Sequence, residues 1–317
     1  MWKINEIRNN IKELGKKEMN EENYFELMQY YDMLGLNNNL TLRELIKHTH
    51  YKKKFFSYKT FDNKIDKQLS FYKRKLYLRE YVLDELLNIE LPKISNLQNE
   101  PLDKNVNLCK DFYEGLNIIS KEKINDIFDN KIEIIMNPYT FGKTYFLKNN
   151  NSHIHFTYFK DNSLLSSYIL THEIGHLISF ENKNYEEYVD IYFSPFLETL
   201  PMLMELLFDM YLNGLNNEMH AYHSYLNLST IKDDYSKVLK TNNKYEYVTC
   251  SQRLYSTILA YYLYDMYLGN PKKLKNIILN LKDKIGKLEE NEILGENNID
   301  FKNVTIKNYV KKYINNN

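Results

Sequence analysis

Through the first hundred residues, apolar side chains recur every three or four positions. Ile4, Ile7, Ile11 and Leu14 form one stripe and Tyr24, Leu27, Met28 and Tyr31 another, which is the spacing of amphipathic helices. Thr41 followed three residues later by Glu44 is a capping box that opens a helix through Ile46. Over 64–90, Leu69, Tyr72, Leu76, Tyr81, Leu83, Leu86 and Leu87 sit among charges, predicting one or two helices whose Lys/Arg run is a solvated face. The stretch 92–103, with two prolines among Ser and Asn, interrupts the pattern. It divides an N-terminal helical lobe, 1–100, from the remainder, 101–317, expected to pack closely on it.

Helices are predicted to resume at 106–119 and at 120–128, the second capped by Ser120. The period then changes. Apolar and β-branched runs at 132–136, 144–147 and 153–159 are separated by Asn137-Pro138 and by Asn149-Asn150-Asn151-Ser152, and the last two read as a hairpin. The hairpin leads directly into the most apolar helix so far, 164–178, and that helix contains Thr171-His172-Glu173-Ile174-Gly175-His176. Two histidines four residues apart lie one above the other on a helix and can reach one divalent metal. Glu173 can face that metal without binding it, the position of a general base. Gly175 costs a helix interior about 1 kcal/mol relative to Ala, so a packing or clearance reason is expected there.

A catalytic zinc site usually takes three protein ligands and leaves one position open. Only His220 and His223 follow His176, so the third ligand is a carboxylate or one of these. The apolar stretch 194–208 carries Glu198 and Glu205, seven residues apart on one helix face, where carboxylates are costly unless paired or bound. Glu198 is the preferred ligand, and Glu205 would orient an imidazole from behind; either could instead neutralise a basic partner. The metal expected is one Zn2+ per chain, although a two-histidine, one-carboxylate set also takes other transition metals. In metallopeptidases with such a helix, a neighbouring edge strand holds the substrate backbone. Ile154, His155, Phe156 and Thr157 are the residues expected to do so here.

Composition narrows the setting. Forty-two basic residues balance forty-two acidic ones in 317, so neither nucleic acid nor an anionic membrane is the expected partner. Nine glycines and six prolines favour long helices over a turn-dense β architecture. Cys109 and Cys250 are too few for a disulfide framework and predict two buried, reduced thiols. The absence of a signal-peptide h-region and of any run of about 18 apolar residues predicts a cytoplasmic protein. Twenty-nine tyrosines mean that any functional one must be argued by position.

From about 131 to 270 the order of these pieces resembles the oligoendopeptidase F and thimet oligopeptidase family of zinc peptidases. Its carriers are the hairpin with Gly142-Lys143 before it, the His172–His176 motif, Glu198 with Glu205 some twenty residues later, and a tyrosine-rich helix at 254–264. The resemblance implies a mainly α, helical zinc-peptidase fold with a small antiparallel sheet beside the motif helix and two lobes flanking a channel. It also implies an endopeptidase acting on short or extended peptides, with Glu173 as base and Tyr255 or Tyr262 stabilising the oxyanion. A dedicated processing peptidase and a silent peptide-binding relative are the alternatives. The pattern departs from the family in having no histidine after His223.

Overall fold

The computed structural model describes residues 4–36, 39–77, 101–136, 141–147, 151–158, 165–213 and 217–299. Among them, four helices come first: α1 (Ile4–Leu14), α2 (Glu21–Leu36), α3 (Leu42–Phe56) and α4 (Lys59–Tyr77). The expected capping box is formed, with Glu44 N–H donating to Thr41 Oγ1 and Thr41 N–H to Glu44. The helix it opens runs ten residues past Ile46, because Tyr51 and Phe55 continue its inner face against α2. The later part of the helix expected over 64–90, and most of the boundary expected over 92–103, lie outside the described residues.

Helices α5 (Leu102–Leu116) and α6 (Lys121–Asp126) follow, the latter capped by Ser120 as expected. A π-helical turn, Ile127–Lys131, then feeds the strands β1 (Ile132–Met136), β2 (Phe141–Leu147) and β3 (Asn151–Tyr158). β2 and β3 form the predicted antiparallel hairpin, but the sheet order is β1-β3-β2 and β1 runs parallel to β3. The sheet is therefore mixed, not antiparallel. The chain leaves β1 and enters the sheet again at the far side of the position β3 will occupy. β3 is thus the centre strand and β2 an edge.

The remaining helices are α7 (Leu165–Phe180), α8 (Tyr185–Phe193), α9 (Thr199–Asn213), α10 (Asn217–Lys240), α11 (Lys244–Gly269), α12 (Pro271–Lys284) and α13 (Glu290–Glu296). α7 is the hub. All of its residues but Leu165, Ile169 and His172 are buried. It packs on α9, on β2 and β3, and on α5, whose Tyr113 hydroxyl donates to the Thr171 carbonyl at 2.6 Å. The thiol of Cys109 donates to the Ser167 carbonyl at 3.2 Å; both cysteines are free and buried, as expected.

Two apolar clusters meet at β2. Alternation along the strand sends Tyr145 and Leu147 into a small cluster with α1 and α2, and Phe146 into the main core with α7 and α8. That alternation ties the N-terminal helices to the rest. Among the described residues no helix is long and apolar enough to cross a membrane.

Candidate metal centre and cleft

The site depends on a close helix crossing. A Cβ at Gly175 would lie 2.6 Å from the Cα of Pro201 and 3.1 Å from its nitrogen, so only glycine lets α7 and the first turn of α9 touch backbone to backbone. This is the clearance reason expected from the sequence. The crossing brings Glu198 to the motif. Glu198 precedes α9 proper, and its carbonyl accepts from Met202 N–H at 3.0 Å. The helix expected over 194–208 thus begins at Thr199, because Pro201 has no N–H for the Leu197 carbonyl and is tolerated only in a first turn.

Three atoms converge there. Glu198 Oε2 lies 3.1 Å from His172 Nε2 and 3.4 Å from His176 Nε2, and the ligand atoms of the three residues all fall within 4.8 Å of one another. Two imidazole nitrogens and a carboxylate oxygen at this spacing form a donor set that fits a zinc-type cation. Behind it, His172 Nδ1 bonds Glu205 Oε1, and Glu205 Oε2 bonds His223 Nε2 at 2.9 Å. Tyr168 lies over the His223 ring at 4.4 Å and donates its hydroxyl to Asp209. Glu205 thus lies between His172 and His223. The His220 side chain lies outside the described residues. The His176 ring is held by Phe180, stacked at 5.7 Å and 14°.

These contacts set the charges. Burial disfavours the Glu198 carboxylate, but His176 and His172 overcome it and hold its pKa well below the usual range. Burial likewise opposes ionisation of Glu205, yet hydrogen bonds from His172 and His223 bring it down to about 2. Burial works against a charge on His172, and the two carboxylates raise it well above the ordinary histidine value all the same.

Glu173 faces the same cleft and is nearly buried. Its Oε2 accepts from Thr144 Oγ1 at 2.6 Å, and a Cβ on Gly142 would come within 2.8 Å of its Oε1. β2 thus lies directly against Glu173. The cleft, about 1030 Å³ including its mouth, is floored by His172, Glu173, His176 and Glu198 and edged by Gly142, Lys143 and Thr144. Phe25, Met28, Gln29, Asp32, Lys52 and Phe56 of α2 and α3 form the facing wall, with Tyr188 and Tyr192 of α8 and Tyr245 of α11 at one side. The N-terminal helices and the motif region therefore flank one cleft.

Two expectations are corrected. Tyr255 is fully buried, packed against Phe71 and Tyr72 of α4, and neither it nor Tyr262 lines the cleft. The reason is length: α11 presents its first turn to the cleft, and Tyr255 lies ten residues on, about 15 Å along the axis. Tyr245 is the α11 tyrosine at the cleft, hydrogen-bonded to Tyr192. No local signal distinguished it from the other tyrosines. The second correction concerns Ile154, His155, Phe156 and Thr157. They belong to the centre strand, whose two edges are occupied by β1 and β2, so no further strand can add there. Among the described residues, the strand edge left unpaired beside the cleft is that of β2.

No protein-family model matches the sequence, and no curated protein matches it. Solved structures do. PZ peptidase A, in complex with an inhibitor, superposes with a TM-score of 0.53 over 99% of this chain and 67% of its own, at 14% identity. A protein assigned as an oligoendopeptidase F from Bacillus anthracis str. Ames gives 0.51 over 97% and 64%, also at 14% identity. A further protein assigned as an oligoendopeptidase F gives 0.51 over 98% and 66%, at 12% identity. This chain has the oligoendopeptidase F fold. It spans about two thirds of the length of these structures. At such low identity the likeness is one of fold. Within that oligoendopeptidase F fold, α7 and the start of α9 carry the donor set and β2 carries the free edge.

Proposed function

We propose that the protein is a zinc-dependent peptidase that hydrolyses short or extended peptides in this cleft. The observation that carries the reading is the convergence of His172 Nε2, His176 Nε2 and Glu198 Oε2 beside the Glu173 carboxylate, on the fold of the oligoendopeptidase F structures.

His172, His176 and Glu198 would hold the cation. When bound, it supplies Lewis acidity, polarising a peptide carbonyl and making water acidic enough to lose a proton near neutral pH. The chain's own residues do the rest. Glu173, aimed into the cleft by Thr144, accepts the proton of the attacking water and delivers it to the departing amine. Glu205 keeps the proton of His172 on Nδ1, which leaves Nε2 as the nitrogen that faces the centre. Tyr245 donates toward the carbonyl oxygen as it gains charge. Gly142 and Thr144, on the free edge of β2, hydrogen-bond the peptide backbone.

The test joins two measurements on protein purified without chelator. Metal analysis is expected to find one zinc per chain, and a panel of quenched peptides is expected to be cleaved in a manner abolished by chelation and restored by zinc. Stoichiometric metal without hydrolysis of any peptide would leave a binding protein in place of an enzyme. Absence of metal would remove the reading altogether.

A further inference from the structure

The free edge of β2 is open for only part of its length. In the β2–β3 ladder, alternate residues turn their N–H and C=O toward β3, and the others turn them outward. Phe146 is of the outward kind, and so are Thr144 and Gly142, two and four residues before it. Thr144 and Gly142 line the cleft. Phe146 does not, because the side-chain amide of Gln29 takes both of its backbone groups. Phe146 N–H donates to Gln29 Oε1 at 2.9 Å, and Gln29 Nε2 donates to the Phe146 carbonyl.

That pair of bonds is the one an added strand would make. Gln29 is 4% exposed, sits mid-way along α2 and borders the cleft, so its amide closes the edge there. The Phe146 ring is itself stacked on Tyr188 at 4.5 Å and 10°. The cut bond must lie beside Glu173, which touches Thr144 and abuts Gly142. Strand rise places this closure about 7 Å beyond Thr144, the length of about two residues.

We propose that Gln29 is a specificity-determining residue: by occupying the β2 edge at Phe146 it limits a peptide to about two residues between the cut bond and one of its ends. The other end is not limited by it. The inference rests on the peptidase reading above and names the substrates of that site as peptides cut close to one terminus.

The experiment uses the zinc-loaded full chain and quenched peptides that share one cleavable core, lengthened residue by residue at the amino or the carboxyl end. Wild-type kcat/KM is expected to fall by about tenfold or more when the third residue is added on one side, a loss on the scale of a backbone hydrogen-bond pair, and to be unchanged by additions on the other. Mass mapping of a mixed-length library should place the cuts within about two residues of that same end. In Gln29→Ala the long-to-short ratio of kcat/KM should rise toward one, a readout that a merely stabilising role for Gln29 would not move. Equal tolerance of both extensions by the wild type, or a folded Gln29→Ala with the wild-type ratio, overturns the inference. If Gln29→Ala does not fold, the wild-type map decides alone. Hydrolysis without length asymmetry sinks only this inference; absence of any hydrolysis sinks the peptidase reading and this with it.

Discussion

The two walls of the cleft are built in opposite ways. The inner wall, α7 with the start of α9, takes its chemistry from residues spaced along two helices and a crossing that Gly175 permits. Behind it lies a buried polar chain running from His172 through Glu205 to His223, with Asp209 and Tyr168 beside it. The outer wall takes Gln29 and Asp32 from α2, Lys52 and Phe56 from α3 and Tyr245 from α11, segments more than a hundred residues apart in places. A catalytic metal centre must hold its ligands to fractions of an ångström, so it is made of short-range periodicity and satisfied hydrogen bonds. A substrate wall needs shape, which any segment can supply. The contrast predicts that changes to the inner wall act on chemistry and metal, and changes to the outer wall on which peptides are cut.

The largest effect should come from Glu173→Gln. Proton transfer is worth about 10²–10⁴-fold, so kcat/KM should fall by about 10³ while metal analysis still finds one zinc per chain. Loss of zinc along with activity would show that Glu173 is not separable from the ligand set.

Next is a paired test of the tyrosines. Tyr245→Phe should lower kcat by about 10²-fold with little change in KM, the scale of one lost oxyanion donor, and Tyr255→Phe should leave both unchanged. The reverse ranking would restore the tyrosine that resemblance alone selected and remove Tyr245 from the wall.

Behind the donor set, Glu205→Gln keeps the shape but loses the charge that His172 Nδ1 bonds. Zinc affinity, measured by competition with a chromophoric chelator, should weaken by about 10–100-fold. An unchanged affinity would mean that the buried chain supports the fold and not the centre.

The smallest effect concerns the tie between the walls. Asp32 on α2 accepts from Lys143 on β2 and from His48 at 2.9 Å; burial works to raise its pKa, and these partners bring it below the usual value. A carboxylate with a depressed folded pKa stabilises the protein above its unfolded pKa, and that contribution fades as the pH falls through the folded value. Asp32→Asn should therefore cost about 1 kcal/mol near pH 7 and nothing at low pH, read from urea melts across the range. A pH-independent loss would assign Asp32 a packing role.

Much of the molecule was legible beforehand where a local pattern carried it. The capping box at Thr41 and Glu44, the cap at Ser120, the β2–β3 hairpin and the apolar motif helix all rest on neighbours within a few residues, and all are present. Glu181 pairs with Lys123 at 3.4 Å and with Lys282, which no local pattern announces, because α6 and α12 both fold back onto the end of α7. The order of the strands was not legible, since alternation says which face a residue takes and nothing about which strand lies in the middle. That single uncertainty put the substrate rail on β3 when β3 has no free edge.

What the sequence by itself determined is the chemistry of the floor: His172 and His176 one turn apart, Glu173 beside them, and two glutamates seven residues apart in an apolar stretch where a carboxylate needs a partner. Helical periodicity converts such spacing into geometry without further information. Tertiary structure alone decided which edge of the sheet is free, that Tyr188, Tyr192 and Tyr245 among 29 tyrosines line the cleft, and that Gln29 closes the strand at Phe146. Each of these depends on contacts between segments far apart in the chain, and no local spacing encodes the distance between them.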